Sequence, residues 1–463
     1  MDNIKRIAFH TLGCKLNFSE TASISRRFAG ERFHEVGFRE VADLYVIHSC
    51  TVTANAEKRC RELIRKAHRT NPDAHIAVIG CYAQLESDEL AAMPGVSIVL
   101  GNTDKYGLYD HAQLLFREEA PAEKGDAGVT LSGEGTAASS PKGSGEANPR
   151  GEQQDQSLEG MNAKPTDFVP TWSTEGRTRS FFKIQDGCDY QCAYCTIPLA
   201  RGRSRSNTIA ATLEAARQIS GTDIREIVLT GVNIGDFGQP HQERFFDLLE
   251  ELAKLEDLPR IRLSSIEPDL LHDEIIQLVA REDRLMPHFH IPLQSGSDAI
   301  LRSMGRRYDT ALFAGRVNTI RQHIPHACIA ADIIVGYPGE TGELFEASLK
   351  TLEALDISYL HVFTYSERKN TRAAGSDRMV SPAERKERSQ RMQQLSREKK
   401  SAFIRQNQGR TERILWEKEA QAGYMFGFTE NYLRAKTPFD PARVNTIEPH
   451  RLNTTDKNGV YSI

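Results

Sequence analysis

No stretch of the 463 residues is apolar enough to span a bilayer, and the amino terminus lacks the charged, apolar and small-residue succession of a secretory signal. A soluble, cytoplasmic protein with no membrane partner is expected. Tryptophan is nearly absent, at two residues, and cysteine is sparse, at eight. So few cysteines in so long a chain exclude a disulfide-stapled scaffold, and in a reducing compartment grouped thiols are metal ligands before they are disulfides. A strong charge of one sign is missing as well, since the net charge is −4. That figure hides an asymmetry: residues 118–170 hold ten acids and four bases, a net −6 that leaves +2 on the rest of the chain.

What the chain does have is six cysteines in two groups of three, with no fourth partner for either. Cys188, Cys192 and Cys195 form a C-x3-C-x2-C loop after the apolar run Phe181-Phe182-Lys183-Ile184, and Tyr194 precedes the last thiol. Structural zinc would bring a further CxxC or CxxH pair to close a tetrahedron, and none lies nearby. Three thiolates on a four-iron cluster leave one iron open, and an open iron is reactive.

Cys14, Cys50 and Cys81 are far apart in sequence but share a context. Each ends an apolar, strand-like run: Ile4 to His10, Leu44 to Ile47 and Ile76 to Ile79. Helical patterns at Ser19 to Phe33 and Ala54 to Thr70 separate them, which reads as β-α-β-α-β with a parallel sheet. Ligands of such sheets gather at the carboxyl ends of strands, so the three thiols should converge. Three buried structural cysteines are the alternative, and that reading suits Cys60 and Cys328.

Residues 118–168 are built mostly from Gly, Ser, Ala, Glu and Gln, too few large apolar side chains to offset chain entropy, so they read as a disordered insert between domains. Beyond it, strand candidates recur at Phe181 to Ile184, Ile224 to Leu229, Ile261 to Leu263, Phe289 to Leu293, Ile329 to Val335 and Tyr359 to Phe363. Six β/α units make an incomplete parallel barrel whose working residues sit at the strand carboxyl ends. Those ends carry Gly231 and Asn233, Ser264 and Glu267, Gln294, and Gly336. With Tyr194 they are candidates to hold a nucleotide-like ligand, against the plainer readings of a turn or a helix cap. Ser381-Pro382-Ala383-Glu384 is a capping box that opens a helix through about Gln406, and its basic residues either contact phosphate or form a solvated face. Thr411 to Ile463 breaks into short strands with turns at Ala422-Gly423 and Lys457-Asn458-Gly459, the pattern of a small β-barrel.

The cysteine loop resembles that of the radical S-adenosylmethionine superfamily. Thr11-Leu12-Gly13-Cys14-Lys15-Leu16-Asn17, Ser49-Cys50-Thr51-Val52-Thr53 and Gly80-Cys81-Tyr82-Ala83-Gln84 narrow the resemblance to the methylthiotransferases, over nearly the whole chain outside the insert. It implies two 4Fe-4S clusters, one on Cys188, Cys192 and Cys195 and an auxiliary one on Cys14, Cys50 and Cys81, with S-adenosyl-L-methionine on the open iron of the first. It further implies an external electron donor, reductive cleavage to a 5′-deoxyadenosyl radical, and sulfur insertion into a carbon-hydrogen bond followed by methylation. No catalytic residue beyond the cluster ligands is assigned. Domains are expected at 1–117, 169–406 and 407–463, the last resembling a TRAM domain, with Arg201, Arg203, Tyr432 and Arg434 as candidate tRNA contacts. Thr11-Leu12-Gly13-Cys14-Lys15 and Gln185-Asp186-Gly187-Cys188 look most like the branch that converts N6-threonylcarbamoyladenosine at position 37 of tRNA to its 2-methylthio derivative. Action on isopentenyladenosine in tRNA or on a ribosomal-protein aspartate stays open, as does, in another class, a non-enzymatic zinc RNA-binding protein.

Overall fold

The computed structural model of the protein describes residues 4–30, 32–118, 168–173 and 178–463. The segment read as an insert lies, its two end residues apart, outside them.

In the amino-terminal domain β1 (Lys5–Thr11), β2 (Phe33–Glu35), β3 (Leu44–Ser49), β4 (His75–Gly80) and β5 (Val96–Leu100) form one parallel sheet in the order β2-β1-β3-β4-β5. Every residue of the central β3 is buried, as a strand covered on both faces requires. Helices α1 (Lys15–Arg26) and α2 (Ala54–Thr70) contribute to separate cores on opposite faces, and α3 (Cys81–Leu85) starts directly at the end of β4. The sequence pattern carries the first helix from Ser19 to Phe33, but the helix begins at Lys15 and stops at Arg26. Phe33 instead opens the edge strand β2, where its ring packs 5.0 Å from Phe28 and 5.9 Å from Tyr109. An apolar residue at helical spacing has been claimed by the sheet core.

Six parallel strands follow: β6 (Arg179–Lys183), β7 (Glu226–Thr230), β8 (Arg260–Leu263), β9 (His288–His290), β10 (Cys328–Val335) and β11 (Tyr359–Thr364). They pair as β8-β7-β6 and β9-β10-β11, and parallel bridges Ile261↔Leu285 and Ser265↔His290 join the halves into the expected incomplete barrel. Alternation sorts the side chains: Phe182, Ile227, Leu229, Ile261, Leu263, Phe289, Ile329, Ile333 and Leu360 pack against the outer helices, so Arg179, Glu226, Arg262, His290, Asp332 and His361 face the lumen. A five-residue helix, α4 (Ile197–Arg201), follows the Cys188–Cys195 loop. Cys60 lies within α2 and Cys328 begins β10, both buried, in keeping with structural roles.

The capping box at Ser381 and Glu384 is complete, with Pro382 at the first helical position of α5 (Pro382–Gln406). Four of its basic residues are engaged within the protein: Arg388 bonds Glu340 at 2.9 Å, Arg391 pairs with Glu346, Arg385 with Glu367, and Lys399 donates to the Glu353 and Leu355 carbonyls. After α5, β12 (Thr411–Gln421), β13 (Tyr424–Thr429), β14 (Arg434–Pro438), β15 (Ile447–Arg451), β16 (Thr454–Thr455) and β17 (Tyr461–Ser462) form a sheet in the order β15-β12-β13-β14-β17-β16 around Trp416. Ala422 and Gly423, at φ 52° and 81°, make the β12–β13 turn.

This last domain closes the floor of the barrel. Arg262 holds Glu226 by two bonds of 2.8 and 2.9 Å and donates to the Glu430 carbonyl, while Arg260 donates to the carbonyls of Phe428 and Arg413. Despite its burial, Arg262 and its arginine neighbours hold the Glu226 carboxyl down from 4.5 to about 2. The stability it contributes is therefore complete above about pH 4.5 and is lost as pH falls through about 2. Replacing Arg262 with Met strands Glu226 and should cost about 3 kcal/mol, the scale of breaking a buried ion pair. Limited proteolysis after α5 and the urea midpoint at neutral pH should both show the loosened domain, and the stability gap to wild type should narrow as pH falls below about 4.5, because Glu226 no longer has its carboxyl held down.

Candidate metal centres and the chamber between them

In the strand order β2-β1-β3-β4-β5 the connections change direction between β1 and β3, and ligands of such sheets bind outside the carboxyl ends at that switch. Cys14 follows β1, Cys50 follows β3, and Cys81 follows β4. The three thiols are near enough to act on one another electrostatically. Two glycines permit the approach: at Gly13, φ 99°, a Cβ would meet the Cys50 sulfur at 2.8 Å, and at Gly80, φ 98°, one would meet the His48 ring at 2.5 Å. Asn17, one turn into α1, donates to the Leu12 and Ser49 carbonyls at 2.8 and 2.9 Å and so ties the first two loops together. Asn102 donates to the Cys81 sulfur at 3.5 Å.

The second trio is equally local. Gly187, φ 70°, sits so close to the Arg203 carbonyl that any Cβ would collide at 1.9 Å. The sulfurs of Cys188, Cys192 and Cys195 accept from the Tyr190 amide at 3.4 Å, Arg306 Nη1 at 3.1 Å and the Ile197 amide at 3.4 Å. Burial pushes the thiols of Cys50, Cys188 and Cys195 up to about 12, and those of Cys14 and Cys192 upward. Without a cation these groups stay protonated, and a metal at each trio reverses that preference. N–H donors aimed at every sulfur of the second trio suit thiolate ligands of an iron-sulfur cluster, whose sulfurs are tuned by such bonds.

Around this loop the expected nucleotide-like site is assembled with one member that the sequence reading missed. Arg306 contacts Glu267, the Cys192 sulfur and the Tyr194 hydroxyl together. It follows a helix rather than a strand, in Met304-Gly305-Arg306-Arg307-Tyr308, and only the doubled arginine beside a tyrosine could have flagged it. Burial raises the Glu267 carboxyl although Arg306 opposes the shift. The buried Ser264 hydroxyl has no partner among the described residues, which leaves it available to a ligand. Asn233 is committed: its side chain donates to Asp236 and accepts from the Glu267 amide, and its own amide bonds Gln185, which a side chain at Gly231 would strike at 2.7 Å. Gln294, φ 70°, exchanges backbone bonds with β10 at Asp332 and Ile334. Gly336, φ 72°, takes the Glu340 carboxylate on its amide and lies against Arg385, beside Tyr337, whose ring is 6.4 Å from that of Tyr194.

Of the four proposed RNA contacts one is buried and another is half-buried against the barrel. Arg201 is 1% exposed and belongs to an ion network, and Tyr432 stacks on Phe428 at 4.8 Å beneath Arg262 and Arg179 at the barrel floor. Folding gave both side chains internal partners. Arg203 and Arg434 are exposed.

That ion network joins the two trios. Arg201, on α4 just after Cys195, donates to Glu20 at 3.1 Å, Asp186 at 2.9 Å and Asn17 at 2.7 Å. Lys105 and Lys183 complete the shell of Glu20 at 2.6 and 3.0 Å. Arg201, then the two lysines, hold the Glu20 carboxyl well below the usual range against the opposing effect of burial. Lys15 projects from the first turn of α1 toward the charged groups of the barrel lumen. Burial, then Arg262 and Arg179, pulls its ammonium down to about 8, with Glu226 and Asp332 opposing. Opposite it, His290 bonds Asp332 at 2.7 Å and Ser265 at 2.8 Å, with the His361 ring 5.2 Å away. Replacing Glu20 with Gln leaves three buried cations with only Asp186 to balance them. A loss of about 3 kcal/mol is expected, read as a lower thermal midpoint and faster exchange of the amides of α1 and α4.

Residues 6–101 match the uncharacterized protein family UPF0004, and residues 182–352 match the radical SAM superfamily. The chain is 36% identical to the threonylcarbamoyladenosine tRNA methylthiotransferase MtaB of Bacillus subtilis (strain 168), over 92% of this chain and 89% of that one. It is 31% identical to the tRNA-2-methylthio-N(6)-dimethylallyladenosine synthase of Jannaschia sp. (strain CCS1), over 92% and 87%. Among solved structures the radical S-adenosylmethionine methyltransferase TsrM of Kitasatospora setae superposes with a TM-score of 0.52 at 16% identity, over 80% of this chain and 74% of that one, a likeness of fold. Two three-cysteine sites on two α/β domains, together with identity that runs the length of the chain, place the protein in the radical S-adenosylmethionine methylthiotransferase family.

Proposed function

We propose that the protein converts N6-threonylcarbamoyladenosine at position 37 of tRNA to its 2-methylthio derivative. The observation that carries this reading is the pair of three-cysteine sites bridged by Arg201, combined with 36% identity along 92% of the chain to a relative named for that activity, against 31% for one named for the dimethylallyl substrate. Cys188, Cys192 and Cys195 would hold one four-iron cluster and Cys14, Cys50 and Cys81 the other. Bound there, the clusters would supply the electron that cleaves S-adenosylmethionine and the inserted sulfur, and a further S-adenosylmethionine would supply the methyl group.

The chain's own residues position, shield and balance charge. Arg306 carries positive charge to Cys192 while it fixes Glu267, so the loop and the ligand wall move as one piece. Tyr190 donates to Asp269 at 2.5 Å and pins the loop to the segment after β8. Arg260 and Arg262 seal the barrel floor, which keeps water from the lumen side of a reactive intermediate. An external electron donor completes the reaction, and the protein works where tRNA is found, in the cytoplasm. No helix of the described residues is long and apolar enough to cross a membrane.

Mass spectrometry of tRNA nucleosides from a deletion strain is the decisive test. Loss of the methylthio form of threonylcarbamoyladenosine is expected, and an unchanged profile refutes the reading in favour of a ribosomal-protein substrate. In the anaerobically reconstituted protein about eight irons per chain are expected, and Cys81→Ala or Cys195→Ala should each leave about four and abolish restoration of the nucleoside. Zinc in place of iron would mark a non-enzymatic RNA-binding protein.

A further inference from the structure

Lys15 is the one chamber residue whose charge nothing described answers directly. It lies at the first position of α1, immediately after Cys14, and among the described residues no hydrogen bond or ion pair engages its ammonium. The charged and titratable groups it faces come from every barrel strand: Arg179 of β6, Glu226 of β7, Arg262 of β8, His288 of β9, Asp332 of β10 and His361 of β11. A side chain that feels all six strands reaches into the lumen. The acids in that ring are engaged elsewhere. Glu226 is bonded twice by Arg262, and Asp332 accepts from His290 at 2.7 Å. Arg179 is matched by Glu417 at 2.7 Å. Lys15 is half-buried, so it is reachable from the chamber while most of its solvent is replaced by protein. A cation kept partly dry and unpaired is costly unless an arriving anion completes it.

The anion is identified by where Lys15 stands. The carboxylate of S-adenosylmethionine belongs with the Cys188 trio, whereas Lys15 directly follows Cys14 in the chain and reaches from there into the lumen. Threonylcarbamoyladenosine differs from adenosine and from its dimethylallyl derivative in carrying a carboxylate on the N6 substituent. We propose that Lys15 receives the threonyl carboxylate of the substrate nucleoside and so selects the acidic N6 modification over neutral ones. This rests on the function proposed above. An uncharged dimethylallyl group in the same place would leave the ammonium unanswered, so the discrimination comes from an unpaired charge as much as from a new contact.

The test is a cycle of two changes, one on each partner, with the full-length reconstituted protein under anaerobic conditions. Anticodon stem-loops carry threonylcarbamoyladenosine either as the free acid or as its methyl ester, which removes the charge and keeps the bulk. Wild type should bind the acid at least about tenfold more tightly than the ester, as a charge-assisted hydrogen bond requires. Lys15→Met should bring that ratio to about one, and Lys15→Arg should keep most of it. The ratio is taken within each protein, so a partly unfolded variant does not distort it. A Lys15→Met protein that keeps the wild-type ratio overturns the proposal, as does a wild type indifferent to the ester. Equal weakening of acid and ester by Lys15→Met also overturns it and points to an RNA phosphate as the partner. Methylthiolation of the free-acid stem-loop by wild type, measured in the same samples, stands or falls with the proposed function alone.

Discussion

One buried carboxylate decides how the two halves of this protein meet. Glu20 lies on α1 of the amino-terminal domain, fully buried, and its bonds run to Lys105 of its own domain and to Lys183 and Arg201 of the barrel. Alone, a charge in that position would be untenable. With three cations it is held ionised, and Asp186 takes the surplus positive charge through Lys183, Arg201 and Arg205. The same side chains flank the chemistry. Asp186 precedes Cys188 by two residues, Arg201 follows Cys195 by six, and Asn17 links Arg201 to the backbone around Cys14 and Cys50. Apolar packing between the domains would bring them together but would not fix the angle. A directional network does, because each bond fails if either domain slides.

That dependence explains what the sequence could disclose. The cysteines were legible because their signal is local: three thiols in eight residues, and three thiols each one step past an apolar run. The parallel sheet was legible because β3 and β4 are uninterrupted buried runs. The network was not legible, since Glu20 and Arg201 are 181 residues apart and each alone reads as a surface charge. Arg201 was accordingly placed on an RNA surface, and folding buried it. Tyr432, half-buried, shows a related ambiguity. Its ring stacks on Phe428 and meets Arg262 and Arg179 of the barrel. Aromatic and basic residues that look ready for nucleic acid are equally suited to a domain interface, and composition cannot tell the two apart.

The strand ends were informative in kind and uneven in detail. Glu267 and the unpaired Ser264 sit where a ligand's polar groups could meet them, whereas Asn233, Gly231 and Gln185 chiefly hold the rim loops to one another. Glycine in such a loop is read as room for a ligand. At Gly231 the room is taken by a glutamine, and at Gly187 by the Arg203 carbonyl. Arg306 escaped notice because it lies after a helix, outside the strand-end rule, yet it touches more of the site than any residue that rule selected.

The distribution of charge around the lumen follows from what it must contain. At the floor, Arg260 and Arg262 answer Glu226 and the carbonyls of the carboxyl-terminal domain, so that end is closed and balanced from within. At the loop end, Arg306 answers Glu267 and lends charge to Cys192. Between them, among the described residues, the lumen holds a cation without a direct partner on the residue next to Cys14. A chamber that satisfied every charge internally would bind any adenine of suitable size, because nothing in it would be improved by the ligand. Leaving one ammonium incomplete makes occupancy favourable for a substrate that brings the missing charge and unfavourable for a neutral one. Selectivity of that kind needs no additional contact surface, only a rigid frame that keeps the ammonium from finding another partner, and the network around Glu20 supplies that frame by fixing α1 against the barrel.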